Sequence, residues 1–314
     1  MSSPPRAGRR QRVLPLVPAN RLLRQEMVAF YLFASPWLIG LLLLTLGPML
    51  AAVGLSLTDY PVIVAPKWVG LKNYAKLLDD DLVRQALKVT FLYAAGAIPL
   101  EVISAFLVAL LMNLPIRGIS AFRTIYYLPA VISGVPVALL WMWILNPEFG
   151  VLNNLLGYAG IKGPAWLFST EWVIPAFILM SLWKIGAPMI VYLAGLQGIP
   201  QHLYEAAEID GAGVLARFWH VTVPMVSPVI LFNAVMSVIG SFQIFTPAFV
   251  MTQGGPANAS LVYVLYLYNN AFKFFRMGYA ATLAWLLFFI ILAFTLLVLR
   301  WSAAWVYYEG KLRG

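Results

Sequence analysis

Leu203-Tyr204-Glu205-Ala206-Ala207-Glu208-Ile209-Asp210-Gly211, running on through Arg217 and His220 to Pro224, is the longest polar interruption in the second half of a very apolar chain. Between Gln201 and Thr222 it reads as two short helices joined at Gly211 and Gly213, glycines that can take φ > 0 and let the chain turn sharply. Pro224 is expected to stop the local structure before the next apolar run begins. A polar helix–turn–helix between membrane spans is well placed to grip a cytosolic partner. The plainer alternative is an amphipathic surface helix with ordinary carboxylates near its N-terminus.

What flanks this stretch is membrane. Of 314 residues, 62% are hydrophobic and only 11% charged, and the mean hydropathy is +0.84. Soluble domains carry about a quarter charged residues, so the chain reads as a polytopic membrane protein. There is no cysteine, which excludes a disulfide framework, a thiol nucleophile and cysteine-ligated metal. The two histidines, His202 and His220, both fall in the polar loop and make no metal cluster. No G-x-x-x-x-G-K-[ST] phosphate loop occurs, so any ATP-driven engine belongs on another subunit. The net charge of +9 points away from nucleic acid, because Arg6, Arg9, Arg10, Arg12, Arg21 and Arg24 all lie beside the first apolar run. A basic tail there is an orientation signal and an anionic-lipid contact.

Taken in order, residues 1–26 are a basic cytosolic tail, 27–302 a transmembrane domain and 303–314 a second cytosolic tail. Spans are expected at about 30–57, 89–113, 124–146, 172–198, 223–251 and 277–299, with the polar loop at 199–222. Each exceeds or approaches the roughly 20 residues that cross a bilayer as a helix. Pro36, Gly47 and Pro48 suggest kinks in span one. The turn cluster Thr252-Gln253-Gly254-Gly255-Pro256-Ala257-Asn258 closes span five, and the short tyrosine-rich Leu261–Phe272 stretch reads as interfacial. Six spans put both termini on one side, and a modest excess of Lys and Arg places that side, with the polar loop, in the cytosol.

Inside the spans, Asn233, Ser237 and Ser241 recur every four residues and form one polar stripe on span five. Such a stripe faces a cavity or serves interhelical hydrogen bonding, and the residues alone leave both open. Glu101 and Lys184 are the charges deepest in the spans, each costing about 2.5–3.5 kcal/mol on insertion scales if isolated. Such charges pair with each other, snorkel towards the membrane surface, face a hydrated path or, for Lys184, meet an anionic solute. Trp183 and Tyr192 add rings on which a sugar can stack.

The spacing Glu205-Ala206-Ala207, three residues, Gly211, nine residues, Val221-x-Val223-Pro224 resembles the EAA loop of ABC importer permeases, with valines at the usual Ile and Leu positions. Trp68-Val69-Gly70-Leu71-Lys72-Asn73-Tyr74 and Phe122-Arg123-Thr124-Ile125-Tyr126-Tyr127-Leu128-Pro129 are further strings similar to carbohydrate-type members of that family. The resemblance implies an all-α membrane protein of the type I importer fold, with six transmembrane helices and a cytosolic coupling helix built on Glu205, Ala206, Ala207, Asp210, Gly211 and Pro224. Alanines leave that face bare, so the backbone can lie in a groove of an ATPase subunit while Glu205 meets an arginine there. It implies as partners a second permease of the MalG type in a heterodimer, an ATPase dimer and an extracytoplasmic solute-binding protein. ATP and magnesium belong to the ATPase, with no cofactor bound by this chain. By the same resemblance Ser237 and Ser241 align with sugar-pocket positions, with Gln243 nearby, and the solute is a sugar, oligosaccharide, polyol or glycerol phosphate moved by alternating access across a bacterial or archaeal plasma membrane. The rival reading is a secondary transporter driven by an ion gradient, for which Glu101 and Lys184 would have to serve as the relay.

Overall fold

The computed structural model describes residues 21–307; the outer parts of both tails, 1–20 and 308–314, lie outside the described residues. The chain divides into two compact units, Met1–Gly54 and Leu55–Gly314. In the first, α1 (Arg21–Gly40) runs through a π-helical turn, Leu41–Leu46, into α2 (Gly47–Ser56). Pro36 sits inside α1 without ending it.

The second unit opens with a two-residue hairpin, β1 (Thr58–Asp59) pairing antiparallel with β2 (Lys67–Trp68). The Trp68–Tyr74 string has a local purpose. Asn73 donates to the carbonyls of Ser56 and Thr58 at 3.0 and 2.8 Å, and the Tyr74 hydroxyl meets Ser56 Oγ at 2.9 Å. Those bonds satisfy carbonyls at a helix end that has no further turn to accept from. Next come α3 (Lys72–Asp79) and the longest helix, α4 (Asp81–Met112). Arg123 donates from Nε and Nη2 to the Met112 carbonyl at 3.1 and 2.7 Å, capping the far end of α4 with a cation.

Span three is not straight. It divides into α5 (Ile119–Val131) and α6 (Gly134–Ile144), bent by 103°. Pro136 lies in the first turn of α6, where its ring would collide with the Ile132 carbonyl in a continuous helix, so the chain is extended at Ile132 and Ser133 instead. After α7 (Val151–Tyr158), span four divides into α8 (Val173–Leu182) and α9 (Gly186–Gln197), bent by 44° with Lys184 in the break. A Cβ on Gly186 would stand 2.2 Å from the Tyr126 carbonyl oxygen, so only glycine lets α9 approach α5 this closely.

The polar loop folds as α10 (Gln201–Ile209) and α11 (Val214–Arg217), the two short helices expected. Pro224 does not stop the structure. α11 passes through a π-turn, Phe218–Thr222, straight into α12 (Val223–Phe242). Both π-turns have one local logic: Gly47 donates to Leu42 and Val223 to Phe218, each just before a proline that has no N–H to continue the α-ladder. α12 ends at Phe242, earlier than the expected Met251, and a π-turn at Ala248–Thr252 leads to the glycine turn.

The expected interfacial stretch forms α13 (Tyr263–Tyr268), which packs between α4 and α14 (Met277–Trp305) with Tyr263 and Leu265 buried. A Cβ on Gly278 would lie 1.9 Å from the Thr58 carbonyl oxygen. Among the described residues four helices are long and apolar enough to cross a membrane, and up to six spans result when each bent pair counts as one. The core of the second unit is α4 surrounded by α8, α9, α12 and α13, while long apolar side chains on the outer faces stay exposed, as a lipid-facing surface requires.

Candidate functional site: a bundle cavity and a coupling loop

The polar stripe on α12 meets α4 and the α8–α9 break around two cavities. One, of about 380 Å³, is lined by Glu101, Ser181, Lys184, Asn233, Met236 and Ser237, among others. The second, of about 320 Å³, shares Glu101, Ser181, Lys184 and Ser237 and adds Tyr93, Ser241 and Phe245. Ser237 Oγ donates to Glu101 Oε2 at 2.6 Å. Asn233 is buried and donates to the Val229 carbonyl of its own helix at 3.2 Å.

Among the described residues the ion pairs are Arg84–Asp81 and Arg217–Glu208, so Glu101 and Lys184 do not pair with each other. Both face the cavities instead. That is the cavity-facing option of those the sequence leaves open for intramembrane charges. A site with one acid, one base, three serine hydroxyls and an amide in apolar walls can orient a polyhydroxylated solute by hydrogen bonds, and small side chains such as Ser241 and Gly240 leave it room.

Three residues expected near a solute stand elsewhere. Trp183 packs edge-to-face on Trp141, centroids 6.1 Å apart, and lines neither cavity. Tyr192 is fully buried against Phe106, with 5.3 Å between centroids, so neither ring face is free for stacking. Gln243 caps the end of α12 and is exposed. The two rings expected as stacking partners are taken up by packing here. Ser181 and Met236, by contrast, line both cavities; their offsets of three from Lys184 and from Asn233 are the signal that could have found them.

At the other end of α12, α10 closes in a full Schellman motif. Gly211, at φ +78°, donates to the Glu208 carbonyl at 3.0 Å, and Ala212 donates to the Ala207 carbonyl at 2.8 Å. Asp210 is the C-cap. The loop is braced by Tyr204 Oη and Thr222 Oγ1 at 3.0 Å and by the Arg217–Glu208 pair at 3.3 Å. Glu205 and Ala206 are exposed, and Ile209, Val214 and Leu215 are 87%, 77% and 73% accessible. Apolar side chains that open, on a rigid polar hairpin, fit a surface completed by another protein.

Comparison with known proteins agrees with this geometry. Residues 86–307 match the family described as binding-protein-dependent transport system inner membrane component. The chain is similar to the probable ABC transporter permease protein YesP of Bacillus subtilis (strain 168), 40% identical over 297 residues, covering 93% of this chain and 96% of that one. It is also similar to the lactose transport system permease protein LacF of Rhizobium radiobacter, 35% identical over 292 residues, covering 91% and 97%. Among solved structures it resembles a bacterial ABC transporter involved in the import of the acidic polysaccharide alginate, with a TM-score of 0.76, 26% identity, and coverage of 91% of this chain and 99% of that one. An α-helical multi-pass bundle with an EAA-spaced loop, matched over most of its length, leaves one assignment: the chain belongs to the binding-protein-dependent transport system inner membrane components and is the permease subunit of an ABC importer.

Proposed function

We propose that this permease carries a sugar, oligosaccharide or related polyol or glycerol-phosphate solute, and that the cavity around Glu101, Lys184, Asn233, Ser237 and Ser241 is its binding site on the path. The observation that carries the reading is the gathering of these five polar side chains, from α4, the α8–α9 break and α12, around shared space inside apolar helices. Hydroxyl-rich solutes need donors and acceptors held in place, and buried polar groups in a span are retained at a cost that such a task explains. The lactose permease of Rhizobium radiobacter supports a saccharide solute by its own named substrate.

In this reading α10 is the coupling helix. Glu205, Ala206, Ala207, Asp210 and Gly211 dock on a separate ATPase dimer that holds the ATP and magnesium, and Pro224 carries the loop into α12. Closure of the ATPases moves α10 and α11 as one braced body, and the continuous α11–α12 rod transmits that motion to the cavity wall in alternating access. A second permease of the MalG type completes the pathway, and an extracytoplasmic binding protein delivers solute. The termini and the 199–222 loop are cytosolic.

The test is to purify the tagged chain from its host membranes, identify what copurifies and measure ATP hydrolysis. An ATPase and a second permease in the complex, with hydrolysis lost in Glu205→Ala, are expected. A chain that comes down alone, with no nucleotide dependence, overturns the reading.

A further inference from the structure

A third cavity, of about 310 Å³, lies apart from the bundle site, between the 248–252 π-turn and the end of α13, and Phe249, Gln253, Tyr268, Asn269, Phe272 and Lys273 line it. It is at the end of the second unit opposite the coupling loop. Tyr266 binds Asp80 and Gln85 Nε2 donates to the Asn258 carbonyl, both at the start of α4, whereas Met112 and Arg123 mark the coupling end.

Its walls are ordered by chemistry. Within the lining Phe249 meets Tyr268 at 5.1 Å and Tyr268 meets Phe272 at 5.0 Å, giving a continuous ladder of rings, and Phe249 is backed by Phe245 of the bundle cavity, stacked at 5.0 Å with 17° between planes. Phe249 and Phe272 remain 39% and 56% accessible. Along the same segments, inward polar groups are all engaged: Thr252 with the Ala248 carbonyl and Ser260, Asn270 with the Tyr266 carbonyl, and Tyr266 with Asp80. The Gln253, Asn269 and Lys273 side chains that line the cavity have no hydrogen-bond or ion-pair partner among the described residues. Gln253 also holds φ +50°, a left-handed backbone that costs a non-glycine residue energy and that clusters at binding sites.

Exposed rings beside unengaged amides and an ammonium suit one ligand class. The C–H faces of a pyranose lie on aromatic faces, and its hydroxyls need the donor and acceptor pair that each amide supplies, with lysine as a further donor. The volume is that of a small-molecule site. We propose that this cavity is a second saccharide subsite at the extracytoplasmic end, taking a sugar ring before it reaches the bundle cavity. The proposal rests on the saccharide reading of the permease given above.

The experiment uses the whole purified transporter in nanodiscs and saturation-transfer NMR with three probes, lactose, maltotriose and digalacturonate. Transfer to the ring protons of at least one probe is expected, retained when Ser237→Trp fills the bundle cavity and weakened about tenfold in apparent affinity by Phe272→Ala or Asn269→Ala, a loss of about 1.4 kcal/mol. Both are accessible or partly accessible positions, so these variants fold. Transfer abolished by Ser237→Trp and unchanged in the other two overturns the exterior subsite and leaves the saccharide reading standing. Transfer to no probe overturns the exterior subsite together with the saccharide reading, and leaves the polyol and glycerol-phosphate solutes of the proposed function. Because the chain has no cysteine, Lys273→Cys also reports access directly: labelling by an impermeant maleimide, slowed by the bound probe, is expected. No labelling in the assembled transporter would assign the cavity to subunit packing and overturn the proposal.

Discussion

The two ends of the second unit are built on opposite principles. At the coupling end, α10 and α11 hold together through one Schellman turn, one hydroxyl contact and one partly exposed ion pair, and they leave Ile209, Val214, Leu215 and Trp219 open. At the other end, long-range polar bonds tie four helices. Asp80 Oδ1 accepts from the Leu82 and Val83 amides at the start of α4, while Oδ2 accepts from Tyr266 and Tyr279 at 2.6 Å each. Thr90 accepts from the Tyr263 amide, Tyr263 donates to the Leu283 carbonyl, and Lys76 lies 4.5 Å from the centroid of the Tyr279 ring. One end completes itself. The other leaves its apolar side chains open, as the proposed docking of α10 on an ATPase requires.

The largest effect is expected where the self-sufficient end is cut. Asp80→Ala removes an N-cap and strands two buried tyrosine hydroxyls, so thermal unfolding of the purified protein should show about 2–4 kcal/mol lost. An unchanged melting temperature would mean that the α13 region holds without Asp80. The same carboxylate gives a pH signature. Burial pushes the Asp80 carboxyl up, but hydrogen bonds from Tyr266, Tyr279 and the Leu82 and Val83 amides outweigh it and hold the group below its usual range. Its stabilising contribution is therefore full above the ordinary carboxylate pKa of about 4 and lost as pH falls through the lower folded value. The Tyr266 hydroxyl is pushed up to about 12 by burial and by the Asp80 bond, so it stays protonated and donating throughout. In Asp80→Asn the acid-side loss should flatten.

Next in size, the coupling end should lose function without losing stability. Glu205→Ala is expected to lower ATP-dependent uptake more than about tenfold at unchanged expression and melting temperature, the mark of a missing charge-assisted contact with a partner. A fall in melting temperature of the chain alone would erase the contrast between the ends. A smaller change is expected between them: Ser237→Trp should reduce uptake several-fold while ATPase copurification stays intact, and normal kinetics would return the α12 stripe to packing. The smallest is Arg217→Ala, which removes a pair with Glu208 69% accessible on its side chain; a few tenths of a kcal/mol or less is expected from equilibrium unfolding.

Much of the coupling end is legible in the sequence because its determinants are local. Gly211 is the one residue type at ease at φ +78°, and the Ala207, Glu208 and Ala212 backbone groups that close the turn lie within five residues of each other. Pro224 misleads for a local reason too, since a π-turn just before it absorbs the missing donor. The opposite end hides its main feature. Asp79-Asp80-Asp81 reads as an exposed acidic run, and nothing near it announces that the middle carboxylate accepts from tyrosines 186 and 199 positions away.

The apolar segments long enough to cross a bilayer, the polar hairpin between the fourth and fifth, and the two charges embedded in the spans are all readable from residue order, because transfer free energy and turn chemistry are summed over neighbouring residues. It takes the folded bundle to bring Glu101 to Ser237 across 136 positions, to bend spans three and four at their breaks, and to turn Tyr192 to packing and Ser181 to the cavity. Hydropathy measures how much a segment prefers lipid and carries no direction. Which face of each helix looks inward is set by close approach between elements, such as Gly186 against Tyr126, whose partners the chain brings together only when it folds.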